Sequence, residues 1–213
     1  MEFLNEEILA YLEQHCPEEP ELLKQLDRET HLTIPYPNML TGHMQGRFLS
    51  FISKLLRPVN VLEIGTYTAY SAICFAEGLA TGGSIHTIDK NPEVEEIAKR
   101  YIRKAGLTES IITHQGNALE IIPSLEQKFD LIFLDADKEN YPNYLPMLKD
   151  KLIPTGLLMV DNTLWNGKVL KKAHSGDQET RGIQDLNTMV KEDPELDSFM
   201  LPLRDGLTLI RLK

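Results

Sequence analysis

Cysteine is scarce. Cys16 and Cys74 are the only two among 213 residues. They lie far apart and lack metal-ligand spacing, which argues against a disulfide framework and a cysteine zinc site. Cys74 falls in an apolar helical run and reads as a buried thiol, so a reducing cytoplasm is the expected compartment. Positive charge is also in short supply, with 22 Lys and Arg against 32 Asp and Glu and a formal net charge of −10. Such a surface disfavours nucleic acid and anionic membranes as partners. No apolar run approaches the roughly 20 residues of a membrane span. The acidic start Met1-Glu2-Phe3-Leu4-Asn5-Glu6-Glu7 does not read as a signal peptide. The histidines form no H-x-x-x-H or Cys/His cluster, and there is no G-x-S-x-G element for a serine hydrolase. Internal repeats and low-complexity segments are missing as well.

What is there suits one globular domain: 42% hydrophobic and 25% charged residues. The first third reads as helical. Phe3, Ile8, Leu9 and Leu12 fall at helical spacing before Pro17, and Leu22, Leu23 and Leu26 form a second stripe. Thr33 to Asn38, with Pro35 and Pro37, must be extended or turning. A third helix from about Gly42 to Leu56 carries Phe48, Phe51, Ile52 and Leu55 on one face. After Pro58, strand-like runs alternate with helical patterns. The strands are Val59–Ile64, Ser84–Ile88, Ile111–His114, Phe129–Leu134 and Leu157–Val160. Asn91 is the expected N-cap of a helix with Pro92 at its first position. Alternation of this kind implies a parallel sheet with right-handed crossovers. Near the end, Phe199–Leu203 and Leu207–Leu212 flank Arg204-Asp205-Gly206, a hairpin that makes at least one late strand antiparallel. Residues 1–57 are thus expected as a helical cap on an α/β core at 58–213.

Two sets of residues stand at strand ends, where open α/β sheets bind ligands. In the first, Gly65 follows the first strand and would let a ligand approach the backbone closely, while Asp89 ends the second strand and suits ribose hydroxyls. Tyr67 occupies the place of a second glycine in G-x-G-x-x-G, which counts against a pyrophosphate cofactor. A ligand with ribose but no phosphate, such as S-adenosylmethionine, fits better. In the second set, Asp135 follows Phe133-Leu134, and Asp161-Asn162 follow Val160. Two carboxylates and an amide make an all-oxygen site for a hard cation, Mg²⁺ or Ca²⁺. Lys138, nearby, is a candidate general base.

The run Val61-Leu62-Glu63-Ile64-Gly65-Thr66-Tyr67-Thr68-Ala69-Tyr70-Ser71 resembles the first motif of the cation-dependent O-methyltransferases, the group of catechol and caffeoyl-CoA O-methyltransferases. Phe133 to Tyr141 is similar to that family's central metal motif. Asp161-Asn162-Thr163-Leu164-Trp165-Asn166-Gly167 resembles its second metal motif, especially in the caffeoyl-CoA-type and bacterial branch. Asp205-Gly206 before a final strand is another shared trait. The resemblance runs from about Met39 to the C-terminus. It implies a Rossmann-like, seven-stranded, mostly parallel, doubly wound sheet with an antiparallel C-terminal strand and extra N-terminal helices. It also implies S-adenosylmethionine as methyl donor. Glu63, Gly65, Tyr67 and Ser71 would line its methionine end, Asp89 its ribose and Ala118 its adenine. Met39, Thr41 and Asp135 would contact it as well.

The chemistry implied is transfer of a methyl group to one hydroxyl of a catechol-type acceptor, free or as a hydroxycinnamoyl or caffeoyl-CoA-like compound. Asp135, Asp161 and Asn162 would hold the cation, expected to be Mg²⁺, with Mn²⁺ and Ca²⁺ open. The metal lowers the hydroxyl's pKa and fixes its oxygen. Asp135 and Lys138 are the expected catalytic pair, and Lys138 must be neutral to accept a proton. Asp137, Lys138, Trp165 and Asn166 are the expected acceptor-side residues, although a lone tryptophan packs more often than it binds. Lys168, Lys171 and Lys172 form the only nearby basic cluster. A homodimer is what the resemblance suggests. The alternatives are a nucleic-acid methyltransferase and a non-catalytic S-adenosylmethionine-binding module on the same fold.

Overall fold

Helices and strands fall where apolar periodicity changes from about 3.6 to 2. The structure, a computed structural model, describes residues 6–213. Phe3, expected in the first helix, lies outside them. The seven strands make a mostly parallel sheet, and the chain divides into two compact units, residues 6–118 and 119–213.

The first unit holds α1 (Glu6–His15), α2 (Glu21–Thr33), α3 (His43–Leu56), β1 (Asn60–Ile64), α4 (Tyr70–Ala76), β2 (Ser84–Asp89), α5 (Pro92–Lys104) and β3 (Ile111–Gln115). The strands run parallel in the order β3-β2-β1, with Asn60 opposite Ser84 and Ile85 opposite Ile111. α5 begins as the sequence dictates: Asn91 Oδ1 accepts from the Glu93 amide at 3.0 Å, and Pro92 needs no partner at the first position. The early helices belong to the same unit as these strands. α2 buries Leu23, Leu26 and Thr30, and Arg100 and Tyr101 of α5 both bond its Glu29.

α3 turns a largely polar side inward. Its buried side is Gln45, Gly46, Arg47, Leu49, Ser50 and Ser53, whereas Phe51 and Leu55 are 65% and 70% exposed. The polar side is inward because partners wait there. Arg47, Ser50 and Lys54 all donate to Glu77, and Ser53 Oγ donates to the Phe75 carbonyl at 2.6 Å. Gly46 is needed for the approach, since a Cβ there would come within 2.6 Å of the Tyr70 ring.

The second unit runs through the body of α6 (Ala118–Ser124), β4 (Phe129–Leu134), α7 (Tyr141–Lys151), β5 (Leu152–Asp161), α8 (Gln178–Glu192), β6 (Leu196–Leu201) and β7 (Leu207–Leu212). Its strand order is β4-β5-β7-β6. β4 and β5 are parallel, and β7 runs antiparallel to both β5 and β6. β5 starts earlier than the apolar run Leu157–Val160 indicates. Its pairing jumps from Phe129–Leu152 to Leu131–Leu157, and this irregularity absorbs Pro154-Thr155-Gly156. Leu131, Ile132, Phe133 and Leu134 in β4 and Leu158, Met159 and Val160 in β5 are all buried in succession, as strands covered on both faces require. No helix among the described residues is long and apolar enough to cross a membrane.

Candidate active site

In the first unit the loop after β1 is shaped by its backbone. Gly65 has φ +106°, and Tyr67 and Ala69 also lie in the left-handed region. The amides of Gly65 and Thr66 donate to the Ile88 carbonyl at 2.9 and 3.3 Å. Asp89, at the end of β2, accepts the Tyr67 amide at 2.7 Å and the Asn91 amide at 2.8 Å, one on each oxygen. Each oxygen keeps a second lone pair for a hydroxyl donor. Glu63 is fully buried and accepts from Thr87 Oγ1 at 2.5 Å, while Thr87 and Thr66 hydroxyls lie 2.6 Å apart.

Of the other residues expected beside a methyl donor, all but Asp135, which belongs to the second unit, fall in the same unit. Ser71 is buried in the first turn of α4, and Ala118 is buried at the start of α6. Met39 sits in the 3-10 turn Pro37–Met39 and is 59% exposed, whereas Thr41 is buried. Tyr67 ties this turn to the β1 loop, because its hydroxyl donates toward the Tyr36 and Pro35 carbonyls at 3.4 and 3.5 Å.

In the second unit charge does the shaping. Asp135 and Asp161 each follow one residue after the register pair Leu134–Val160. They stand side by side at the ends of adjacent strands, which lie roughly 4.8 Å apart. Asn162, in the left-handed region at φ +61°, donates its amide to Asp161 Oδ1 at 2.8 Å. Two carboxylates and an amide oxygen are a hard donor set of the kind Mg²⁺ and Ca²⁺ take. Among the described residues no group of three His, Cys, Asp or Glu is gathered for a metal, so Asn162 would have to complete the set.

Lys138 heads the 3-10 turn Lys138–Asn140 and is buried. Its Nζ donates to Asp135 Oδ1 at 2.6 Å and to the Tyr141 hydroxyl at 2.9 Å. Burial disfavours its charge, but the Asp135 carboxylate, with Tyr141, outweighs that and raises its pKa. The carboxylate thus favours the charged lysine over the neutral amine that a general base requires. For the Tyr141 phenol burial acts in the other direction and is itself what pushes the pKa up, against the lowering effect of Lys138.

Asp137 turns toward α7, where its Oδ1 accepts from the Tyr144 hydroxyl at 2.9 Å and its Oδ2 from the Asn140 amide. Two lysines approach the Trp165 ring, with Lys168 Nζ 5.4 Å and Lys138 Nζ 6.0 Å from its centroid. Its Nε1 is buried without a hydrogen-bond partner. The loop bearing Trp165 and Asn166 is held by the hairpin between β6 and β7. Thr163 and Leu164 amides donate to the Gly206 and Asp205 carbonyls at 3.0 and 2.9 Å, and the Asn166 amide donates to Asp205 Oδ1. A Cβ at Gly206 would strike the Leu164 amide nitrogen at 2.7 Å. From α8, Asn187 Nδ2 bonds the Thr163 carbonyl at 2.9 Å and Gln184 Nε2 bonds that of Lys171 at 2.7 Å.

A family model described as O-methyltransferase matches residues 13–213. The chain belongs to the O-methyltransferase family. Caffeoyl-CoA O-methyltransferase 2 of Eucalyptus globulus is 40% identical over 206 residues, which cover 92% of this chain and 83% of that protein. Among solved structures, SAH-bound Podospora anserina methyltransferase PaMTH1 matches with a TM-score of 0.89 at 27% identity, over 99% of this chain and 97% of that one. The O-methyltransferase from Bacillus cereus in complex with SAH also gives a TM-score of 0.89, at 25% identity over 97% of both chains. Family membership accords with the Rossmann-like sheet that the resemblance implies and with the parallel strands read from the pattern. Sequence reasoning assigned no part to Tyr141 or Gly182, and it named Asp205 only within the hairpin turn and the shared Asp205-Gly206 trait. Tyr141 left one signal, its spacing of three residues from Lys138.

Proposed function

We propose that this O-methyltransferase is cation-dependent and moves the methyl group of S-adenosylmethionine to one hydroxyl of a catechol-type aromatic. The observation that carries the reading is the register pair Leu134–Val160, which sets Asp135 and Asp161 abreast with Lys138 on the first of them. Asp89 would accept the donor's ribose hydroxyls, and Gly65 and Tyr67 would admit its amino-acid end against the backbone. Glu63, Ser71, Met39, Thr41 and Ala118 would complete that wall. Asp135, Asp161 and Asn162 would hold Mg²⁺, with Mn²⁺ or Ca²⁺ able to replace it. When bound, the cation lowers the pKa of a coordinated hydroxyl and fixes its oxygen.

The acceptor oxygen then displaces sulfur in line: an O–C bond forms, the C–S bond breaks, and its electron pair stays on sulfur, giving the neutral thioether. The hydroxyl proton passes to bulk water as the oxygen ionises, ahead of the displacement. Lys138, as an ammonium, stabilises the resulting phenolate by charge and donates to it, a preorganised electrostatic role. Asp137, Trp165 and Asn166 are proposed to face the acceptor. The acceptor is a small molecule, since the net charge of −10 offers no stripe for nucleic acid. A homodimer in the cytoplasm is proposed as well. The outward apolar residues of α3, Phe51 and Leu55, with Val59 beyond, are a face that a second copy would cover.

The test is a panel of catechols, hydroxycinnamates and their thioesters with labelled S-adenosylmethionine, with Mg²⁺ or with excess chelator. Product is expected with Mg²⁺ only, and Asp135→Asn is expected to abolish it. Undiminished turnover in chelator would remove the cation from the reading, and no product with any diol would remove the acceptor class.

A further inference from the structure

Tyr141 is fully buried, yet its hydroxyl touches three polar atoms. It lies 2.9 Å from Lys138 Nζ, 3.2 Å from the Asp161 carbonyl and 3.4 Å from the Leu134 carbonyl. Those carbonyls belong to the last residues of β5 and β4. A phenol can accept from the ammonium and donate to one carbonyl at once. One hydroxyl thus links the lysine to the two strand ends that carry Asp135 and Asp161.

The same turn is pressed from behind. Gly182 stands inside α8, where glycine is unfavourable to a helix. A Cβ there would come 2.2 Å from the Lys138 carbonyl oxygen and 2.9 Å from Glu139 Cα. Main chain cannot yield as a flexible side-chain end can, so only glycine lets α8 seat against this turn. α8 is started by its own cap, with Asp177 accepting from the Thr180 amide and hydroxyl at 3.1 and 2.7 Å, and is tied to the preceding loop by Asn187 and Gln184, which bond the Thr163 and Lys171 carbonyls.

We propose that Tyr141 and Gly182 are positioning residues for methyl transfer, clamping the Lys138 turn so that its Nζ is fixed beside the acceptor oxygen. The proposal rests on the functional reading above. Neither residue need touch donor or acceptor. Loss of a fixed position far smaller than a side chain is enough to slow a reaction by about 100-fold.

Two variants test the clamp, Tyr141→Phe, which keeps the buried ring, and Gly182→Ala. Two readouts are taken on the full chain. One is the rate at which Lys138 is reductively methylated by formaldehyde and borane, followed by peptide mass spectrometry. The other is kcat and donor KM with a catechol acceptor and Mg²⁺. Both variants are expected to label Lys138 several-fold faster than the parent chain, with kcat lowered about tenfold or more and donor KM unchanged. A labelling rate equal to the parent's in Tyr141→Phe overturns the clamp, and so does faster labelling with kcat intact. Should the parent chain methylate no diol, the functional reading fails, while the labelling arm still decides whether the turn is clamped.

Discussion

Two buried cations sit on carboxylates in this chain, one in each unit. Arg47 of α3 pairs with Glu77 at 2.8 Å, and Lys138 pairs with Asp135 at 2.6 Å. The carboxylates are about equally sheltered, with side chains 26% and 22% exposed. They differ in closure. Glu77 takes both Arg47 nitrogens, the Ser50 hydroxyl and Lys54, so its two oxygens are engaged from three residues. Asp135 takes Lys138 on Oδ1 alone among the described residues. A closed cluster of this kind stabilises an inward-facing polar helix. An open one, at a strand end beside a second aspartate, keeps oxygen lone pairs for a ligand.

The largest way to break that comparison is at the open cluster. Lys138→Met removes both the charge and the hydrogen bonds, and is expected to lower kcat by about 10³-fold, as loss of a preorganised electrostatic donor does. Lys138→Arg keeps the charge but cannot serve as a base. If the ammonium acts by charge, the arginine variant retains at least about a tenth of the parent's kcat. If the lysine must accept the proton, both variants fall together. Steady-state kinetics with saturating donor separates the outcomes.

A smaller effect is expected at Asp89, which belongs to neither cluster. Its carboxylate receives two main-chain amides and holds the β1 loop. Asp89→Asn keeps the shape and weakens charge-assisted bonds to donor hydroxyls. The expected outcome is a donor KM raised by about 10- to 30-fold with kcat within about threefold, since such bonds are made equally in ground and transition states. A fall in kcat at unchanged KM would place Asp89 with Asp135 rather than with the binding wall.

How much of this was legible follows the range of the interactions. β4, the Asn91 cap and the hairpin at Arg204-Asp205-Gly206 are set by neighbours in sequence, and each appears where expected. The positions of Asp135 and Asp161 were legible because a strand end is marked by where its apolar run stops. Register then set them abreast. The direction of α3 was not legible. Helical spacing reveals that Phe48, Phe51, Ile52 and Leu55 share a stripe, but not which way it faces, and the answer came from Glu77 in a different helix turn. The state of Lys138 was unreadable for the same reason, because burial and Asp135 oppose each other and only geometry says which wins. Gly182 carries no local signal, because the Lys138 carbonyl it packs against is remote in sequence.

The smallest expected effect concerns the closed cluster and appears in stability rather than turnover. Burial raises the Glu77 pKa, but the hydrogen bonds from Arg47, Lys54 and Ser50 outweigh it and hold the carboxyl at about 2, below its ordinary 4.5. A carboxyl with a lowered folded-state pKa stabilises the fold above its unfolded value and loses that contribution as pH falls through the folded one. The contribution of Glu77 should therefore be complete above pH 4.5 and fade between 4.5 and about 2. Glu77→Gln leaves the inward Arg47 without its counter-charge and should destabilise the chain at pH 7 by about 2 kcal/mol, less than a fully buried pair because Glu77 and Lys54 reach solvent. Urea unfolding of both chains from pH 7 to pH 2.5 would measure it, and the gap should narrow only in the acid part of that range. A gap that stayed constant down to pH 2.5 would mean that Arg47 is held by packing, and that closure of the cluster contributes little. Unchanged donor KM and kcat in Glu77→Gln at pH 7 would complete the contrast, since a cluster closed on itself has nothing left to offer a substrate.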